Sequence, residues 1–207
     1  VATLIYHLTC IENLASIVGQ GLLCDAEVQR RGLAPTRIGY AELKERRMRT
    51  PVRAGPAGSI GDYVPFFFGP RPPMLYAIWR GLVDGYEGRQ SDVVHLVTTA
   101  EGIADAGHGF AFTNGHAVME ISDFFDDLSD LTAIDWPLMG ERYWRDTPED
   151  PDRKRRRQAE FLVHQGCPWE RIIGIGAMTV EAVERTEAAL TGAQHVPPVR
   201  RRSDWYY

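Results

Sequence analysis

Three stretches of this 207-residue chain hold side chains that could do chemistry together. The first is Tyr6-His7-Leu8-Thr9, in a segment that alternates apolar and polar residues as a strand does, so His7 and Thr9 share a face. The second is Glu160, heading the strand-like Glu-Phe-Leu-Val and lying directly behind the run Arg153-Lys154-Arg155-Arg156-Arg157. A carboxylate at the start of a buried strand can reach into a cleft while a basic loop beside it meets an anionic substrate. The third runs from Gly61 to Trp79, where a strand, a turn and a helix gather several rings at one corner, and Tyr76 could stack on a flat ligand. Each has a plainer reading: His7 as a hydrogen-bonded half-buried histidine, Glu160 as a solvated edge residue, and Phe66, Phe67 and Phe68 as core.

The elements that must position these residues follow from periodicity and punctuation. TLIYHLT reads as a strand, and IENLASIVGQGLL as a helix stopped by Gly19 and Gly21. Residues 25 to 37 read as polar and irregular. IGYAELKERRMR is a helix ended by Pro51, YVPFFF a buried strand closed by GPRPP, and MLYAIWRGL a helix. VVHLVTT is a strand, EGIADAG a short helix, and FAFTNGHAV a strand or loop with a turn at Asn114-Gly115. ISDFFDDLSDLTAIDW is acidic helix and loop, and residues 145 to 157, with Pro148 and Pro151 among charges, are expected to form a mobile surface loop. QAEFLVH and RIIGIGAMT read as strands, and TVEAVERTEAALTG as an amphipathic helix closed by Gly192. Irregular alternation without an internal repeat predicts an α+β fold, in one domain over residues 1–207.

Composition narrows the class. Hydrophobic residues at 44% and charged residues at 25% are those of a globular protein, and no apolar run approaches the length of a membrane span. The start, VATLIYHLTC, lacks the basic region of a signal peptide. Cys10, Cys24 and Cys167 form no C-x-x-C pair, which argues against a disulfide framework and a structural zinc site and for a reducing cytoplasm. The net charge is −5, yet positive charge clusters at Lys44 to Arg53, Arg153 to Arg157 and Arg200 to Arg202, while acidic residues gather from Glu120 to Asp135. One basic and one acidic face are expected.

In order along the chain, His-x-Thr on an early strand, an aromatic strand-turn-helix with a tyrosine, and a glutamate on a late strand resemble the ADP-ribosyltransferase fold. This is the diphtheria-toxin and poly(ADP-ribose) polymerase type, a central split β-sheet flanked by helices. More specifically, YHLTCIENLASIVGQGLL, IGYAELKERRMR, GDYVPFFFGPRPPMLY and QAEFLVH resemble the DarT family of toxins from DarT–DarG toxin–antitoxin systems, over nearly the whole chain.

The resemblance implies an enzyme that moves ADP-ribose from NAD+ to a thymidine base in single-stranded DNA, within short sequence motifs, releasing nicotinamide and needing no metal. A macrodomain antitoxin, DarG, reverses the mark. It makes Glu160 the catalytic carboxylate and places His7 and Thr9 in the NAD+ pocket. Asn13 is a further cofactor contact or a helix cap, and an arginine of the IGYAELKERRMR helix assists, Arg47 ahead of Arg46. Tyr76 and Phe68 follow as cofactor contacts from the wider polymerase-like pattern. Breaking the nicotinamide–ribose bond puts positive charge on the ribose, which Glu160 would stabilise. Single-stranded DNA calls for a basic channel with stacking surfaces; Arg49, Arg53 and the run from Arg153 through Lys154, Arg155 and Arg156 to Arg157 are its candidates. The protein is expected to act as a monomer. RNA or protein as acceptor, and a non-catalytic module that binds single strands, remain open readings.

Overall fold

The computed structural model of the chain describes residues 2–207. The alternating first segment forms β1 (Leu4–Cys10), and one 3-10 turn carries it into α1 (Leu14–Gln20). Gly21 ends that helix at φ 77°, and a Cβ there would meet the Cys167 carbonyl oxygen at 2.8 Å, so both backbone angle and space demand glycine. Then come β2 (Leu22–Leu23), α2 (Asp25–Arg30) and α3 (Ala41–Arg49). The aromatic stretch gives β3 (Tyr63–Phe67) and α4 (Pro73–Trp79), the latter opened by a proline whose missing N–H costs nothing in a first turn. β4 (Val93–Thr99), α5 (Ala100–Asp105), β5 (Phe110–His116), β6 (Phe124–Phe125) and α6 (Trp136–Gly140) follow. Last are α7 (Arg153–Arg156), β7 (Ala159–His164), β8 (Gly166–Cys167), β9 (Gly174–Ala177), α8 (Val180–Ala189) and β10 (Val199–Arg201).

The sheet order is β10-β9-β4-β1-β3-β7-β5-β6, with β2 and β8 forming a separate pair. β1 pairs with β4 along all seven residues but with β3 only through Tyr6 and Phe67. The sheet is therefore split between β1 and β3, as the resemblance implies. Tyr6, Phe67 and Glu160 are successive partners across β1, β3 and β7 and share one face. That face carries two separate apolar clusters. One sets Tyr6, Leu8 and Cys10 against Leu75, Ile78 and Trp205; the other sets Tyr63, Ala111 and Leu162 against Val52, Ile60 and Val118. The main core, including Ile5, Phe66, Phe112 and Phe161, lies on the opposite face.

Four local expectations are corrected. Residues 25 to 37 are not wholly irregular, because α2 forms without burying a residue and is held by Glu27 pairs to Arg30 and Arg31 instead of an apolar stripe. Asn114-Gly115 does not turn; β5 runs through it with a bulge between Phe112 and His116. Residues 145 to 157 are tied down rather than a free loop, ending in α7 and held by ion pairs. Basic and acidic stretches do not segregate either, because Arg156 pairs with Asp135 at 2.6 Å.

Candidate active site

Glu160 is the second residue of β7 and is 2% exposed. Its carboxylate lies on β7, one strand beyond β3, on the face that carries the two smaller apolar clusters, and Arg47 from α3 donates Nη1–H to it at 2.7 Å. Arg47 is the buried residue of its helix, whereas Arg46 donates to the Val118 carbonyl at 3.0 Å and Arg49 stays exposed beside Glu45. One helix thus offers three arginines, of which packing presents one to the glutamate. Removing the pair from water is costly and is offset only by close geometry. The Arg47 Nη2 atom is buried with no partner. A buried, unpaired guanidinium N–H beside a carboxylate fits an anionic or carbonyl group of a ligand.

His7 and Thr9 do not project from the Glu160 face. The His7 ring fills the opening between the diverging strands, with Nδ1 2.8 Å from the Pro65 carbonyl oxygen and its plane tilted against Phe66. A carbonyl can only accept, so Nδ1 carries the proton and Nε2 is left as an acceptor. Burial lowers the His7 pKa to about 4, with the nearby Lys44 and Arg47 charges acting in the same direction. The ring is neutral at pH 7. Thr9 accepts from the Asn13 amide at 3.2 Å, and Asn13 also exchanges two hydrogen bonds with the Thr36 backbone. Asn13 makes no side-chain cap bond to α1 and instead clips the 31–40 connection to β1.

Other expected contacts lie elsewhere. Phe68 is not open to a cofactor: it is 4% exposed and edge-on to Phe112, Trp136 and Phe161. Tyr76 is already surrounded by Trp79, Trp144 and Tyr207, and its hydroxyl receives Arg145 at 2.9 Å. Arg157 is buried, donating to the carbonyls of Arg71, Leu138 and Met139, which removes it from any DNA surface. Arg153 pairs with Glu141, Arg155 with Asp152, and Arg156 with Asp135, Asp150 and Asp152. Arg53 and Lys154 are exposed.

Two neighbours of Glu160 escaped sequence reading. His116 ends β5 opposite Ala159, and its pKa is lowered by burial despite the Glu160 charge, with Arg47, Arg46 and Lys154 also acting on it. Thr113 is fully buried, donates its hydroxyl to the Gly115 carbonyl at 2.6 Å and accepts the Glu160 N–H at 3.2 Å. Only the β5 bulge brings them here, and nothing in FAFTNGHAV announces it. A concavity of about 860 Å³ between Val18–Glu27 and His164–Glu170 includes neither Glu160 nor Arg47. Among the described residues, no group of three or more His, Cys, Asp or Glu side chains converges as metal ligands would.

A split, mostly antiparallel sheet with helices on both faces and a buried glutamate on the strand next to β3 is the architecture of an ADP-ribosyltransferase. The family model described as "ssDNA thymidine ADP-ribosyltransferase, DarT" matches residues 6–207, and the chain belongs to the DarT family. A DNA ADP-ribosyl transferase of Thermus sp. (strain 2.9) is 39% identical over 99% of this chain and 96% of its own length. Thermus sp. 2.9 DarT in complex with ADP-ribosylated single-stranded DNA superimposes with a TM-score of 0.92 at 38% identity, covering 100% of this chain and 97% of that one. The same protein in complex with NAD+ gives a TM-score of 0.87 at 37% identity, covering 100% and 98%.

Proposed function

We propose that this chain transfers ADP-ribose from NAD+ to a thymidine base of single-stranded DNA, with Glu160 as its catalytic carboxylate and Arg47 as the assisting arginine. The observation that carries the assignment is the buried Glu160–Arg47 pair, with one Arg47 N–H still unpartnered. NAD+ supplies the ADP-ribosyl group and nicotinamide as the leaving group. Glu160 stabilises positive charge developing on the ribose, a contribution of about 2.7–4 kcal/mol for one well-aimed group. His7, neutral and accepting through Nε2, lines the pocket with Thr9, while Asn13 holds the adjoining connection in place. The thymine nitrogen must lose its proton to attack; Glu160 and neutral His116 are the groups nearby that can take it. Arg46 and Lys154, whose charges act on His116 beside Glu160, and the exposed Arg49 and Arg53 supply positive charge for the strand.

No helix among the described residues is long and apolar enough to cross a membrane. The reading extends to a single catalytic domain acting as a cytoplasmic monomer, which light scattering tests by reading one chain's mass. The family resemblance adds a macrodomain antitoxin of the DarG kind as partner.

Mass spectrometry of a thymidine-containing oligonucleotide incubated with the protein and NAD+ tests the assignment. A product heavier by one ADP-ribose is expected, and Glu160→Gln should slow its formation by roughly 10²–10³-fold. A panel of single-stranded DNA, duplex DNA, RNA and protein with labelled NAD+ tests the acceptor; label on protein alone would overturn the DNA reading.

A further inference from the structure

Glu160 stands where both ladders that should hold it give out. Its rung with Phe67 is the last between β7 and β3, and on the other side β5 leaves register with β7 between Phe112 and His116. Strand ends are where a sheet frays first, yet the carboxylate is buried and closes on Arg47 at 2.7 Å. Something other than the ladders must hold the ends of these strands.

Arg157 lies three residues before Glu160, where α7 gives way to β7, and is 3% exposed. Its Nη2 donates to the Arg71 carbonyl at 2.9 Å, and its Nη1 donates to the carbonyls of Leu138, at 2.9 Å, and Met139. Arg71 is four residues beyond Phe67, so the first of these bonds crosses from the approach to β7 to the exit from β3 just past their last rung. The other two bind the end of α6 to the same point. The Tyr207 hydroxyl adds a second donor to the Arg71 carbonyl at 3.0 Å. The turn after β3 passes so close that a Cβ on Gly69 would meet the Met139 carbonyl oxygen at 2.7 Å and Arg157 Nη1 at 3.2 Å. Arginine is a costly choice for this place. Burial pulls its pKa down to about 10, so it is charged at neutral pH, and among the described residues it pairs with no carboxylate to offset its desolvation. An apolar side chain would fill the space without that cost, but would leave buried carbonyls unpaired. A rigid planar fork bonds carbonyls of two segments at once and fixes their angle as well as their distance.

We propose that Arg157 is a positioning residue for the reaction: its guanidinium braces the ends of β7 and β3 and so sets where the Glu160 carboxylate stands against the NAD+ ribose. The inference rests on the catalytic assignment of Glu160. It gives the last arginine of the basic run a part in the chemistry that it plays from the interior, through the backbone.

The test is a double-mutant cycle in the full chain, read as kcat and KM for NAD+ in the modification of a thymidine-containing oligonucleotide, with near-ultraviolet circular dichroism reporting the fold. Arg157→Met removes the fork and should lower kcat roughly 10²-fold, the effect of a displacement of about 1 Å at the reacting centre, while KM for NAD+ holds. Arg157→Lys keeps the charge without the fork and should lower kcat roughly ten-fold; it carries the cycle if Arg157→Met folds poorly. In a Glu160→Gln background each substitution should cost little further rate, because the charge that the brace places is already gone. Equal losses in the two backgrounds would reduce Arg157 to a packing residue and overturn the proposal. A wild-type kcat in Arg157→Lys or Arg157→Met would overturn it too, as would a loss confined to KM. Failure of the reading beneath it looks different: the unsubstituted protein then leaves the oligonucleotide unmodified, or Glu160→Gln alone works at the full rate.

Discussion

The start of β7 and the segment between α6 and α7 both carry arginines at their surface or core, but the arginines are in opposite states. At β7 the Arg47 guanidinium is 9% exposed at the side chain and closes on a carboxylate, with the carboxylate's own backbone N–H held by a buried hydroxyl. Between α6 and α7, Arg142 and Arg145 are exposed and, among the described residues, pair with no carboxylate. The first is a centre built before any ligand arrives, in which deleting one partner leaves a buried group unpaired. The second has no buried carboxylate to leave behind, so deleting an arginine there costs little stability. Chemistry needs preorganised charge, and strand capture needs charge that is free.

The largest break in that contrast comes from Arg47→Ala. It strands the Glu160 charge in a site from which water is excluded, and removing one partner of a buried pair costs about 3–5 kcal/mol. Urea unfolding should show a loss of that size, while Arg145→Gln changes the stability by well under about 1 kcal/mol, as expected of a solvated side chain. Equal, small effects would mean that Arg47 and Glu160 are more hydrated than their burial indicates. Arg47→Ala with Glu160→Gln should recover part of the stability, because the unpaired charge is then gone.

Acid separates the two regions next. His7 at the split and His95 beneath the C-terminal segment are both neutral when folded, each with its pKa lowered to about 4 by burial. Once unfolded, each binds a proton below its ordinary value of 6.5. Stability is therefore full above pH 6.5 and falls as the pH drops toward 4, at up to about 1.4 kcal/mol per pH unit for each histidine. Denaturant unfolding between about pH 7 and about pH 5 should show this slope, and His7→Gln should remove its own share and leave those of His95 and His116. Guanidinium groups do not titrate in this range, so the charge of Arg142 and Arg145 should be unchanged by the same shift. A flat stability profile would show that the histidines are not held neutral.

How much of this was legible in sequence depends on the period that carried it. Alternation placed His7 with Thr9 and put Glu160 on a buried strand, because a strand with one face in the core writes itself every second residue. It could not show that His7 enters the split while Glu160 faces away from it, since the divergence of β1 from β3 belongs to neither strand. Helical spacing offered Arg46, Arg47 and Arg49 together, and only tertiary packing chose Arg47. The basic run misled because its neutralising carboxylates, Asp135, Glu141, Asp150 and Asp152, are scattered upstream and meet it only after folding. Thr113 and His116 were invisible for a related reason: a bulge changes which residues face inward without changing their types.

That bulge yields the smallest and most specific test. Where β5 leaves register with β7, the Glu160 N–H would have no strand partner; the Thr113 hydroxyl accepts from it and donates its own hydrogen bond to the Gly115 carbonyl. Arg155 packs over the same spot, so closely that a Cβ on Gly115 would collide with its Nη1, and it is anchored there by Asp152. Thr113→Val keeps the shape and removes the hydroxyl, leaving two buried backbone groups unpaired at a cost of about 1–3 kcal/mol. If the hydroxyl sets the position of the carboxylate, kcat should fall roughly ten-fold for a loss of about 1.4 kcal/mol in the transition state while KM for NAD+ holds, and Thr113→Ser should restore it. Serine and valine variants with equal rates would reduce Thr113 to packing.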